Sequence, residues 1–151
     1  MNVSPEQRAL AANLSGAVCF LSFHASDLGT TSPRITIFTY VPPTAVSPGG
    51  PDPVRPAFVP WGDVQQVELA KSLQLANALQ QQFAQMNGVE VDVPATAPLR
   101  TLRNVNAPAV GIELGRLAPD EDATAIENPA FQQQVATAVV QALAGFATGG
   151  N

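Results

Sequence analysis

Two residues stand at the ends of short apolar runs and could do chemistry. His24, the only histidine of the chain, closes the run Val18-Cys19-Phe20-Leu21-Ser22-Phe23. Glu113 stands near the far end of Ala107-Pro108-Ala109-Val110-Gly111-Ile112-Glu113-Leu114-Gly115. A neutral imidazole binds metal or moves protons near neutral pH. A carboxylate among apolar residues is costly unless it is paired, hydrogen-bonded or near a cation, which makes Glu113 a candidate for a functional role. In open α/β sheets, ligands bind outside the carboxyl ends of the strands, where both side chains would fall. A lone histidine after an apolar strand also has a purely structural reading. No G-x-S-x-G elbow activates Ser22, and no glycine-rich phosphate loop is present.

The elements that must bring these two ends together follow from patterning. Ser4, Pro5 and Gln7 open a first helix with a capping box, and Ser15-Gly16 ends it. The run Val18–Phe23 reads as a strand buried on both faces, and Arg34–Tyr40, rich in β-branched and aromatic residues, as a second strand. Pro42–Pro60 holds seven of the 14 prolines and reads as a surface loop, with Trp61 as a packing anchor at its exit. Asp63 caps what reads as the longest helix, Val64 to Met86, with a stripe of Leu69, Leu73, Ala76, Leu79, Phe83 and Met86. Val89–Val93 alternates apolar and acidic as a half-exposed edge strand does, and Ala107–Gly115 supplies the strand that carries Glu113. Asp120-Glu121-Asp122 reads as a solvated acidic turn. Asn128-Pro129 starts the last helix, whose buried face is Phe131, Val135, Ala138, Val139, Ala142, Leu143 and Phe146. The order helix–strand–strand–helix–strand–strand–helix gives an α/β class: a layered, twisted β-sheet flanked by helices.

Composition narrows the partners. The 151 residues suit one domain, and 46% hydrophobic with 13% charged residues marks a globular chain. A net charge of −5, with seven scattered basic residues, argues against nucleic acid. No apolar run reaches membrane-spanning length, and the first residues lack a signal-peptide pattern. Cys19 is the single cysteine, so no internal disulfide forms.

Taken together, several motifs resemble those of the zinc-dependent N-acetylmuramoyl-L-alanine amidases, which cleave peptidoglycan. Ser22-Phe23-His24-Ala25-Ser26 resembles the family's S-x-H-x-N segment. Ser4 to Asn13 resembles its "R…AN" helix, matched at Arg8 and Asn13. Ser72-Leu73-Gln74-Leu75-Ala76 is similar to its S-x-x-L-A helix motif. Leu102-Arg103, Pro108-Ala109-Val110 and Glu113-Leu114-Gly115 resemble its L-R…P-A-V-x-x-E-x-G block. These occur in the family's order along nearly the whole chain, leaving out the Pro-rich loop and the tail.

The resemblance implies zinc-dependent hydrolysis of the amide between N-acetylmuramic acid and L-alanine, with Glu113 catalytic and His24 a zinc ligand. The ion would polarise the scissile carbonyl and lower the pKa of a bound water. Glu113 would take the water's proton and pass one to the leaving amine. The family's domain begins with a strand bearing D-x-G-H-x-G and a later glutamate, the other two zinc ligands, and this chain starts after both. It therefore reads as the C-terminal half of the catalytic domain, residues 1–147 with the loop 42–60, followed by a flexible tail, 148–151. Ser26 and Arg116 replace a family asparagine and aromatic. The expectations are a periplasmic or cell-wall location for the full-length protein, no hydrolysis by this chain alone, and self-association through an exposed sheet edge. The alternative is a non-catalytic remnant of the fold that binds cell-wall glycan or a protein.

Overall fold

The computed structural model describes residues 3–25, 34–42, 64–115 and 126–148. The expectations for Ser26, the Pro-rich loop beyond Pro42, Trp61, Asp63, Arg116, the acidic turn and the last three residues lie outside them. Helix α1 spans Pro5–Leu14, and its capping box forms as read: the Ser4 hydroxyl accepts from the Gln7 N–H while the Gln7 side chain accepts from the Ser4 N–H. Strands β1 (Phe20–His24) and β2 (Arg34–Tyr40) follow. Helices α2 (Val64–Val67) and α3 (Leu69–Phe83) lead to β3 (Glu90–Val91), β4 (Ala95–Ala97) and β5 (Ala109–Leu114). Helix α4 (Pro129–Thr148) closes the described fold. Its start is capped by Asn128, whose side-chain oxygen accepts from the Ala130 N–H at 2.8 Å.

The sheet is mixed and runs β1-β5-β2-β3, with β4 also pairing with β2. β5 is its hinge: it lies parallel to β1 and antiparallel to β2. On one face Ile35, Ile37, Val110 and Ile112 pack against Leu75, Ala76, Leu79 and Phe83 of α3 and Val135, Ala138 and Ala142 of α4. The opposite face carries Tyr40 and Ala109, covered by Ala9 of α1 with Leu102 and Val105. Burial of these side chains is the main stabilising term, about 1.5–3 kcal/mol for each large one.

Several expectations are corrected. Among the described strands β1 lies at the edge, and it is not buried on both faces: it begins at Phe20, Val18 is 84% exposed and Phe23 is 45% exposed. His24 is the strand's last residue, at the strand end where the sequence placed it. The helix expected over Val64–Met86 breaks at Glu68 and ends at Phe83, so α4 is the longer. Its buried face uses Ser72 and Leu75, while Leu73 is 48% exposed. The edge strand at Val89–Val93 shortens to Glu90–Val91, and β4, which no pattern announced, adds a second parallel partner to β2. Thr148, placed in the tail by the sequence, is the last residue of α4, its hydroxyl donating to Ala144 and Gly145 carbonyls.

The break at Glu68 accompanies a long-range tie. Gln65 is fully buried and its amide nitrogen donates to the Val105 and Ala107 carbonyls at 2.7 and 2.9 Å. Ser72 donates to Gln65 Oε1 at 2.8 Å and accepts from the Ala109 N–H at 3.0 Å. A helix continuing straight through Glu68 would not leave Gln65 free to reach the segment that feeds β5.

Candidate active site

Strand register brings the two candidate residues together. Residue by residue, β1 pairs with β5 from Phe20↔Ala109 to His24↔Glu113. Directly paired residues share a face, so His24 and Glu113 are neighbours on one side of the sheet. Thr36 of β2 pairs with Glu113 from the other flank. The sequence anticipated two strand ends; the structure makes them adjacent ends of adjacent parallel strands.

Each neighbour of Glu113 is committed elsewhere. Ser22, 5% exposed, lies 2.8 Å from His24 Nε2 and fixes the ring from two residues back along β1. Thr36 donates its hydroxyl proton to Asp92 Oδ2 at 2.8 Å, away from Glu113. Glu113 Oε2 is consequently buried with no hydrogen-bond partner. A buried carboxylate oxygen left unpaired is expensive and marks a place for water, an ion or substrate.

Beside this pair lies a cluster that sequence reasoning missed. Arg34 donates to Glu90 Oε2 at 2.7 Å and to Asp92 Oδ1 at 3.2 Å. The hydrogen bond to Glu90, then the charge of Asp92, stabilise the guanidinium cation and push its pKa up. The signal was present as an arginine opening a β-branched strand with acids at alternate positions of Glu90-Val91-Asp92. Two non-local pairings were needed to join them.

The remaining motif residues act as staples around the site. Asn13 donates to the Asn104 carbonyl at 2.9 Å and accepts from the Asn106 N–H at 2.7 Å, tying α1 to the approach to β5. Ser72 holds the first residue of β5, as described. Gly111 has its reason overhead: a Cβ there would come 2.7 Å from Leu99 Cδ1. Gly115, at φ +60°, turns the chain out of the strand two residues after Glu113. Cys19 stays outside the site; burial pushes its thiol pKa up.

A catalytic zinc takes three protein ligands and an open position. Among the described residues no three His, Cys, Asp or Glu side chains are grouped to hold a metal ion. His24 offers one donor, so the described residues do not by themselves fit the ion. None of their helices is long and apolar enough to cross a membrane.

The family model for N-acetylmuramoyl-L-alanine amidase matches residues 1–145. Among solved structures, an N-acetylmuramoyl-L-alanine amidase from Clostridium difficile 630 is similar with a TM-score of 0.68 and 21% identity, over 100% of this chain and 69% of that one. The catalytic domain of CwlV, an amidase from Bacillus (Paenibacillus) polymyxa var. colistinus, gives 0.72 and 18%, over 98% of this chain and 68% of that one. The CwlD amidase from Clostridioides difficile, solved with the GerS lipoprotein, gives 0.64 and 17%, over 95% and 61%. This chain thus spans about two thirds of the length of those structures. No curated protein matches it.

Proposed function

The chain belongs to the N-acetylmuramoyl-L-alanine amidase family, and from that premise we propose that it carries the base of a peptidoglycan amidase on β5. The proposed reaction is hydrolysis of the amide between N-acetylmuramic acid and the L-alanine of the stem peptide. The observation that carries it is Glu113 Oε2, buried and unpartnered on the strand paired with His24. In this reading Glu113 takes a proton from water as the water oxygen attacks the carbonyl carbon. The carbon–nitrogen bond then breaks, and the same carboxyl gives a proton to the leaving amine. Ser22 holds the His24 ring, and His24 would offer one nitrogen to a zinc ion, whose other donors are not grouped with it among the described residues. A peptidoglycan substrate puts the site of action outside the cytoplasmic membrane.

The test uses the full-length protein with muramoyl-peptide substrate. Glu113→Gln is expected to lower the rate of stem-peptide release by roughly a hundred- to ten-thousand-fold with the thermal midpoint unchanged. A variant retaining near-native turnover would remove Glu113 from the reaction. Metal analysis addresses His24: stoichiometric zinc that disappears in His24→Ala supports the ligand role. Because no three donors are grouped among the described residues, a second reading is kept, a non-catalytic wall-binding remnant. Glycan binding unchanged by chelator, without hydrolysis, would support it instead.

A further inference from the structure

The two helices that cover one face of the sheet share a surface that the amidase reading does not use. Helices α3 and α4 run antiparallel: Gln74 lines one groove of their seam with Phe146, and Gln85 lines the next with Gln133. The grooves, of about 360 and 370 Å³, share Gln82 and Gln141 and so form one continuous trough. Buried Ala138 and Ala142 lie at its base. The walls carry no charge. From Ser72 to Val89, and from Asn128 to Asn151, the sequence holds no Asp, Glu, Lys or Arg. Soluble protein surfaces ordinarily mix in about 25–35% of such residues. In their place stand Gln74, Gln81 and Gln82 on α3 and Gln133, Gln134 and Gln141 on α4, all but Gln82 exposed. Each amide offers two N–H donors and a carbonyl acceptor. Among the described residues none of these six side chains is hydrogen-bonded to another. The trough is also remote from the candidate active site. Helices α3 and α4 pack on Val110 and Ile112, whereas Glu113, the next residue along β5, projects from the opposite face.

We propose that the α3–α4 trough binds a neutral, N-acetylated glycan strand. A lining of amides without charge selects a ligand of the same kind. An ion would lose its hydration there without gaining a counter-charge, and an apolar chain would strip water from the amides. Sugar hydroxyls and acetamido groups instead exchange donors and acceptors with glutamine one for one. Half-buried Phe146 adds an apolar rim at one end, against which a sugar ring can lie. From Gln133 to Phe146 the trough follows about 20 Å of α4 at 1.5 Å per residue, room for several sugar units in a row. Each contact is weak, because ordering a glutamine side chain costs entropy. Affinity accumulates along a polymer that is held at two places on the same protein. Equating the strand with the peptidoglycan backbone rests on the amidase reading; the neutral-glycan chemistry of the trough does not.

The test follows the glutamine side-chain amide resonances of the full-length protein by nuclear magnetic resonance while an N-acetylglucosamine oligomer is added. Resonances of Gln74, Gln82 and Gln141 are expected to shift with the sugar. The double variant Gln82→Ala, Gln141→Ala removes the two amides common to both grooves and is expected to weaken binding about ten-fold. Both positions are on the helix surface, so an unchanged thermal midpoint shows that the variant keeps its fold. Shifts confined to residues around Glu113, or no shifts at all, overturn the proposal. So does an equal response to a polyanionic sugar chain, because the trough is then not selecting for neutrality. Trough resonances that change with protein concentration and ignore the sugar assign the surface to a second protein molecule, which also overturns it. Hydrolysis of muramoyl-peptide is read separately. Trough binding without hydrolysis rejects the amidase reading alone, and hydrolysis without trough binding rejects the glycan site alone.

Discussion

At Glu113 the hydrogen-bond geometry is notable for what it withholds. Its flanking residues could each have paired with it, yet His24 is engaged by Ser22 and Thr36 by Asp92. One carboxylate oxygen is left buried without a partner, an expensive arrangement for a residue in a strand. Nearby, Gly111 leaves room for Leu99, and the contact is tight enough to measure. Gly111→Ala is expected to lower stability by about 1 kcal/mol, since Leu99 must swing aside. Pairing it with Leu99→Ala should give a loss smaller than the sum of the two single changes, read from urea midpoints. Cys19 provides a pH test. Because burial raises its thiol pKa, less thiolate is present at pH 8 than in a free cysteine. Iodoacetamide should therefore label native Cys19 more slowly than the urea-unfolded chain, with the gap closing as the pH rises through the folded pKa. His24 and Glu113 were legible in the sequence because each ends an apolar run. Arg34 and Asp92 were not, since their meeting depends on a parallel pairing between β2 and β3 that leaves no periodic trace.

The elements were legible where local chemistry punctuates them. The capping box at Ser4 and the cap at Asn128 formed as written in the sequence. The failures share one physical origin, which is long-range demand on a short segment. Helices α2 and α3 are separate because Gln65 answers carbonyls some forty residues away, at Val105 and Ala107. β4 is Ala-Thr-Ala, without β-forming signal, and exists because β2 offers it a partner. The Gln65–Ser72 network is accordingly the element-level feature to break. Gln65→Leu leaves two buried carbonyls unpaired and is expected to cost about 2–4 kcal/mol. Ser72→Ala strands the Ala109 N–H and Gln65 Oε1 and is expected to cost about 1–3 kcal/mol. Chemical denaturation monitored by circular dichroism checks both. A native-like midpoint in either variant would show that the network is dispensable.

For the whole molecule, the sequence correctly indicated an α/β layered sheet and its helical cover, but it did not order the strands. Placing β1 at an edge changes how the protein meets its surroundings. The strand carries no acidic or lysine residue to discourage pairing, and on the sheet face that packs on α4 it exposes Phe23 beside a groove of about 490 Å³. Leu114, Phe131, Val135, Val139 and Val140 line that groove. Unprotected edges of this kind favour association. Sedimentation velocity is expected to show a concentration-dependent coefficient that Phe23→Lys abolishes. A concentration-independent monomer would refute the expectation.

The centre of the sheet has a consequence for biosynthesis. Strands β1 and β2 are translated before β5, and the described sheet never pairs them with each other; both pair with β5. A nascent chain that has emerged only as far as β4 therefore holds β1 without a hydrogen-bonding partner among the described strands. The ribosome must deliver residues 109–114 before His24 and Glu113 can become neighbours. Assembly of the site is thus coupled to synthesis of β5, and a chain that stops before it lacks both the central strand and the carboxylate.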